Sequence, residues 1–476
     1  MNIFNIIQEA AHKWGNKAAI HDEYGTLSFS ELEREVIQLT SKLKLSGVSD
    51  GNSIGVMARN SRQFIVGIFA GLGCGAVVMP LSHQMKKSEI EQIISEAGLH
   101  FLIDDKSGQP PLEGVKNELD MTIGSFRFSE TGIEKIKPFA PHINNPAFIR
   151  FTSGTTGKSK GVVVSHQAVF ERIEAANKAL NLGVDDTVVW VLPMAYHFMV
   201  SIVLYINYGA AIAITKDFLA KTILEYTTKF KGTLLYASPM HIRMLAGDKS
   251  DTSLSTLKTV ISTSAGISLE ACLAFKERFG IDVSQAYGII EIGLPIINHK
   301  KSADHPEAVG QALPDYQVEL LDEENNILPF GEIGKLAIKG PGMFDGYLTP
   351  PRKKEEILNN GWFMTGDLAS KTASGLITIE GREKSMINVS GNKVFPEEVE
   401  TILNAHSAVE ISKIVGNKHP LMGEIVEANV VLKPNAEANA DVLMTWCRQR
   451  LSAYKVPQVI RFVDSIEMTG SGKVKR

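Results

Sequence analysis

Three cysteines in 476 residues (Cys74, Cys272 and Cys447) give neither a disulfide framework nor a metal-ligand spacing, and they suit a reducing compartment. Each reads as a small packed residue and not as a nucleophile. There is no block of basic residues, and 49 Lys+Arg against 53 Asp+Glu leave a formal net charge of −4, so nothing favours nucleic acid. The start, Met1–Ala11, lacks the basic region of a signal peptide. Internal repeats and low-complexity segments are missing too. Phe64–Leu81 is one long uncharged run of 18 residues. It contains Gly67, Gly71, Gly73 and Gly75, so it reads as a buried helix turning through glycine into a buried strand, not as a membrane span. The expectation is a soluble cytoplasmic protein.

With 44% hydrophobic and 21% charged residues, the composition is that of a globular chain, and its length exceeds one ordinary domain. Short apolar runs alternate with amphipathic helices from about 18 to 300. The spacing predicts a helix Leu32–Leu45 behind a capping box Ser30-Glu31-Leu32-Glu33. It predicts strands Ser53–Met57, Gly75–Met79 and Phe101–Asp104, and helices Arg62–Gly73, Lys87–Ala97 and Met199–Gly209. From about 309 to 380, strands such as Gln317–Leu321 and Ile333–Lys339 with Gly/Pro turns predict a compact β subdomain. Gly381-Arg382-Glu383-Lys384 is a polar break, and about 90 residues of mixed pattern follow it. They predict helices Pro396–Ala405 and Ala440–Leu451 and strands Val409–Val415, Ile425–Leu432 and Gln458–Phe462. The fold class is therefore α/β: a large N-terminal domain of helix-covered β-sheets with a β subdomain (1–381), hinged at 382–384 to a small α+β C-terminal domain (384–476).

The most informative stretch is 151–161, Phe-Thr-Ser-Gly-Thr-Thr-Gly-Lys-Ser-Lys-Gly. Its glycines let backbone N–H groups converge, and its hydroxyls and lysines suit polyphosphate oxygens. Lying between the apolar runs Ala147-Phe148-Ile149 and Val162-Val163-Val164, it reads as a phosphate-handling hairpin loop rather than a solvated linker. Gly157-Lys158-Ser159 matches the tail of a Walker-type loop, but Thr152 stands where that pattern needs glycine, and a strand follows instead of a helix. Three further constellations carry chemistry. Tyr287-Gly288-Ile289-Ile290-Glu291 follows a strand; its ring could stack on a base and its carboxylate hold Mg²⁺, or it is a structural turn. Gly366-Asp367 sets a carboxylate past a glycine turn, where it could take both ribose hydroxyls or satisfy its own backbone. Arg382 follows 15 residues later. Gly470-Ser471-Gly472-Lys473 frames a lysine near the end of the chain.

Together and in this order, these pieces closely resemble the adenylate-forming superfamily: acyl- and aryl-CoA synthetases, adenylation domains of nonribosomal peptide synthetases, and luciferases. The resemblance spans nearly the whole chain. It implies that Thr152, Ser153, Gly154, Thr155, Thr156, Gly157 and Lys160 cradle phosphates, with Ser159 where proline is usual. Thr263-Ser264-Ala265-Gly266 resembles the loop against the adenine. Tyr287, Gly288 and Ile290 belong to the motif that stacks on the base, with Ile290 in place of the usual threonine. Ile379 also lies beside the nucleotide by this resemblance, Asp367 and Arg382 hold ribose, and Glu291 holds Mg²⁺. Ala195-Tyr196-His197-Phe198 resembles the motif lining the acid pocket, with Tyr236, Met240 and Ser264. Lys384 takes the hinge position, Gly391 belongs to the loop beside the thiol tunnel, and Lys473 matches the adenylation lysine.

The implied activity is ATP-dependent activation of a small carboxylic acid through acyl-AMP, with Lys473, Glu291 and His197 as catalytic residues. Acyl transfer to a pantetheine thiol follows, either of CoA or of a carrier protein's phosphopantetheine. A free-standing enzyme that loads an acyl carrier protein is the alternative, and a non-catalytic nucleotide-binding homologue is a different class. The absence of acidic residues in Met194–Met199 and Leu235–Met240 disfavours an amino acid, whose ammonium needs a partner. An aryl or medium-chain acyl group fits better.

Overall fold

Apolar strands and the helices between them assemble into two nine-stranded sheets, seen in a computed structural model. It describes residues 2–107, 112, 117–152, 160–299, 301–390, 392–419, 423–468 and 474–475. One sheet is centred on the parallel strands Ala211–Ile214, Thr187–Trp190, Leu234–Ala237, Thr259–Ser262 and Val283–Ile289. Its neighbour contains parallel Phe101–Asp104, Ser53–Ala58, Val77–Ser82 and Pro146–Thr152. Their central strands are buried along their whole length, as expected where helices cover both faces. A four-stranded antiparallel sheet runs Gln317–Leu321, Ile333–Lys339, Phe363–Lys371, Ile377–Arg382.

The uncharged run resolves into the helix Arg62–Gly73 and the strand Val77–Ser82, with Gly75 at φ +75° between them. A Cβ on Gly71 would come within 2.8 Å of Val78, so glycine lets the helix lie directly on the strands. No helix among the described residues is long and apolar enough to cross a membrane. The three cysteines are buried and unpaired. Aromatic rings of Phe64, Phe69, Phe148 and Phe198 meet at 5.8–6.3 Å beside this helix.

Two local expectations change. The helix is Phe29–Leu45, and its capping box is Ser28 with Glu31, not Ser30 with Glu33: the Ser28 hydroxyl accepts from the Glu31 amide, and Glu31 accepts from the Ser28 amide at 2.8 Å. Both spacings satisfy Ser-x-x-Glu; burial of Phe29 and Leu32 selects the earlier start. The second change falls at 194–207. Instead of one helix there is a short turn Met194–His197, a π-helical turn Phe198–Ile202, and a helix Val203–Asn207. Wide turns of this kind re-aim side chains and recur at functional sites.

Beyond residue 382 a separate core forms around Ile387, Val399, Leu403, Val430, Leu443 and Cys447. It lies between a five-stranded sheet and the helices Pro396–Asn404 and Ala440–Arg448. The hairpin Val409–His419 with Gly423–Leu432 is longer than its apolar pattern indicates.

Two buried histidines tie the fold to pH. His166 Nδ1 accepts the Ile3 amide at 3.1 Å, and His241 Nδ1 lies 2.7 Å from the Ser238 hydroxyl. Burial pushes both pKa values down to about 4. The unfolded chain, with ordinary histidines near 6.5, therefore binds more protons between pH 6.5 and 4. Stability is full above pH 6.5 and falls as pH drops toward 4, by on the order of 5 kcal/mol for the pair. Urea midpoints at pH 7.0, 6.0 and 5.0 should decline, and less so in His166→Asn. Equal slopes in the variant and the parent chain would contradict this assignment.

Candidate functional site

Four groups of side chains build the site, beginning at the hairpin. Strands Pro146–Thr152 and Lys160–Ser165 are antiparallel, with Thr152 paired to Lys160 at the mouth. Ser153, Gly154, Thr155, Thr156 and Gly157 lie outside the described residues, as do Gly391 and Lys473. The next strand, Gly346–Tyr347, pairs with the second strand of the hairpin. Its Tyr347 ring sits 4.9 Å from Lys160 Nζ, and its hydroxyl donates to Glu291 Oε1 at 3.3 Å. One residue that carries no motif thus connects the hairpin to Glu291.

Glu291 follows the strand Val283–Ile289 and is largely enclosed. Burial raises its pKa, against the lowering effects of its own backbone amide, the Tyr347 hydroxyl, Arg382 and Lys160. Its backbone is held from two sides. Phe344 N donates to Glu291 O at 2.6 Å, and Arg172 Nη1 donates to Ile290 O at 3.2 Å. Arg172 is fully buried on the helix His166–Leu180 and also binds Gly342 O at 3.0 Å. Among the described residues no group of three or more His, Cys, Asp or Glu could hold a metal ion. A lone carboxylate beside a lysine suits Mg²⁺ held chiefly by phosphate oxygens and water, and that ion is the one this donor set fits.

Asp367 gathers the third group. Strands Phe363–Lys371 and Ile377–Arg382 place Asp367 opposite Arg382, whose Nε lies 2.6 Å from Oδ1. Tyr287, from the other sheet, donates to Oδ2 at 2.5 Å. Burial, then the Asp367 charge, pushes the Tyr287 hydroxyl well above its usual range. Thr365 Oγ1 accepts the Asp367 amide at 3.1 Å and donates to Leu336 O, so the turn at Gly366 (φ +74°) is locked from below. Ser264, Ala265 and Gly266 leave the end of Thr259–Ser262 and are partly or fully open, with Ser264 at φ +75°. Gly288 is exposed, and a Cβ there would collide with the Gly293 carbonyl. Ile290 and Ile379 are half-buried.

The fourth group is aromatic. Trp190 and Tyr236 occupy paired positions on neighbouring strands and stack at 5.8 Å and 7°. His197 stands edge-on to both, at 5.8 and 6.2 Å. The Tyr236 hydroxyl bonds the Thr263 side chain, and burial pushes its pKa up to about 12. Asn60 clamps the approach to His197 by bonding Leu192 O and the Met194 amide, each at 2.8 Å. His197, Tyr236 and the neighbour of Ser264 therefore come together. Phe198 instead turns into the aromatic core, and Met240, 45% exposed, points outward. Trp190 went unnoticed in the sequence; its strand-end position level with Tyr236 was the available signal. Lys384 is exposed in the short turn Glu383–Ser385.

Residues 7–348 match the family described as AMP-binding enzyme, and residues 398–473 the family described as AMP-binding enzyme C-terminal domain. The chain is similar to a feruloyl-CoA synthase of an Amycolatopsis species, 26% identical over 94% of this chain and 92% of that protein. It is also similar to a long-chain-fatty-acid–CoA ligase of Escherichia coli, 25% identical over 100% and 93%. Among solved structures, ATP-bound MatB from Rhodopseudomonas palustris superposes with a TM-score of 0.85 at 26% identity, covering 100% of this chain and 97% of that one.

Proposed function

Since the chain belongs to the AMP-binding enzyme family, we propose that it is an acid–thiol ligase that activates a carboxylic acid with ATP and transfers the acyl group to CoA. The observation that carries this reading is the convergence on Asp367: an aromatic hydroxyl from one sheet and a guanidinium from the adjacent strand fix both oxygens of one carboxylate. A carboxylate held in a fixed orientation in this way suits the hydroxyls of a ribose.

In the first step the acid's carboxylate attacks the α-phosphate of ATP in line, acyl-AMP forms, and pyrophosphate leaves. Charge accumulates on phosphate oxygens, so fixed positive groups and N–H donors dominate catalysis. The hairpin residues Thr152, Ser153, Thr155 and Thr156 with Lys160 would hold the β- and γ-phosphates. Tyr287 and the Ser264–Gly266 turn would border the adenine. Lys473 would bridge the carboxylate and the α-phosphate. Mg²⁺, when bound, neutralises phosphate charge, and Glu291 would hold it. In the second step the small domain would turn about Lys384, withdraw Lys473 and present Gly391 beside the entering thiol, a motion of the kind that often limits turnover. The thiol then attacks the acyl carbonyl and AMP leaves. A carrier protein's phosphopantetheine is the same thiol on another support.

His197 and Tyr236 would border the acid site, backed by the fully buried Trp190, and this aromatic lining favours an aryl acid over an amino acid. The test is carboxylate-dependent exchange of pyrophosphate into ATP over aryl, medium-chain and long-chain acids, followed by CoA or a carrier protein as acceptor. Exchange should be strongest with an aryl acid and be followed by CoA thioester. Exchange that is absent with every acid would remove the ligase reading; preference for an amino acid would remove the substrate assignment.

A further inference from the structure

The enclosed arginines of this chain face carboxylates. Arg62 pairs with Asp22, Arg127 with Asp104, and Arg172 has Asp345, Glu291 and Glu171 within electrostatic reach beside its two carbonyl partners. Arg150, half-buried, differs. Its guanidinium lies 3.9 Å from the centre of the Tyr196 ring, bonds the Tyr196 side chain, and gives Nη1 to Pro80 O at 3.2 Å. No carboxylate among the described residues faces it, and burial pulls its pKa down with only Tyr196 opposing. The adjoining segment 153–159 contains no acidic residue. Among the described residues, Tyr196 and one carbonyl engage only part of the five guanidinium N–H donors.

The position of this cation in the fold is informative. Arg150 lies on the strand Pro146–Thr152, two residues before the hairpin mouth, on the face that alternation shares with Phe148. Tyr196 immediately precedes His197, whose ring meets Trp190 and Tyr236. The guanidinium thus sits between the hairpin and the aromatic box. A partly desolvated charge that faces no carboxylate among the described residues carries a penalty that a bound anion reverses. Arg is also the side chain whose planar fork matches carboxylate and phosphate oxygens.

We propose that Arg150 is an oxyanion receptor in the cleft, filled by an anionic group that the substrates bring. The proposal rests on the ligase reading for the identity of those substrates. Two sources share the chemistry: the leaving phosphates of ATP, and a second carboxylate on the acid.

Full-length Arg150→Gln and Arg150→Lys chains would be titrated calorimetrically with pyrophosphate, with Mg-ATP, and with acids matched in length, hexanoate against adipate and benzoate against terephthalate. In Arg150→Gln at least one oxyanion class should bind tenfold or more weakly, with Arg150→Lys recovering part of the loss. The unliganded Tm of Arg150→Gln should equal or exceed that of the parent, because an uncompensated charge has been removed. A loss confined to pyrophosphate and ATP assigns the nucleotide as the source; a loss confined to adipate or terephthalate assigns the acid. Affinities unchanged within twofold would overturn the proposal, and so would a lowered Tm with equal losses for every ligand. If the parent binds pyrophosphate through Arg150 yet supports exchange with no acid, the ligase reading fails and the receptor stands.

Discussion

Lys473→Ala is expected to reduce acyl-AMP formation about a thousandfold while leaving thioester formation from supplied acyl-AMP within about threefold of the parent. Lys473 would supply the positive charge between the substrate carboxylate and the α-phosphate, an interaction gained as the transition state forms, so the loss belongs in kcat and not in KM. Of its described neighbours, Met468 bridges to Val474, and Lys475 pairs with Glu467 at 3.1 Å. The second half-reaction would use a different face of the small domain and owe little to this lysine. Pyrophosphate exchange and CoA-dependent consumption of synthetic acyl-AMP separate the two steps. Equal loss of both would refute the division of labour.

Asp367→Ala should raise the KM for ATP about thirtyfold, with the KM for the acid unchanged. Two hydrogen bonds to a charged carboxylate contribute roughly 2 kcal/mol in such a setting, and tenfold in affinity corresponds to about 1.4 kcal/mol. The fold should tolerate the change, because Arg382 is 38% exposed and water can replace its partner. Asp367→Asn should fall between the two, since it keeps an acceptor for Tyr287. An unchanged apparent affinity for ATP in Asp367→Ala would contradict the ribose assignment, whereas a rise in both KM values would point to general disorder of the site.

Short-range patterns were readable without coordinates. The helices Arg62–Gly73 and Lys87–Ala97 and the strand Phe101–Asp104 begin and end where periodicity and glycine place them. Buried residues up to Ile377 and those from Ile387 onward fall in different hydrophobic clusters. Errors arose where two local solutions were nearly equal. Ser28 and Ser30 both satisfy the capping pattern, and only burial of Phe29 decides between them. The π-turn Phe198–Ile202 has no sequence signature, because its widening answers to packing of Phe198 against Phe64, Phe69 and Phe148.

The order and spacing of residues by themselves determined the α/β class, the pairing of the two strands that flank the glycine-rich segment, and the family to which the chain belongs. These follow from local propensity, turn chemistry and motif spacing, all written along the backbone. Tertiary structure alone decided which side chains meet. Tyr347 joins Lys160 to Glu291, Tyr287 and Arg382 close on Asp367, Trp190 stacks on Tyr236, and Arg150 meets Tyr196 and the Pro80 carbonyl. Each meeting depends on strand register and on contacts between residues far apart in the chain. A shift of one residue would turn every one of those side chains to the opposite face, so no local reading of the sequence contains them.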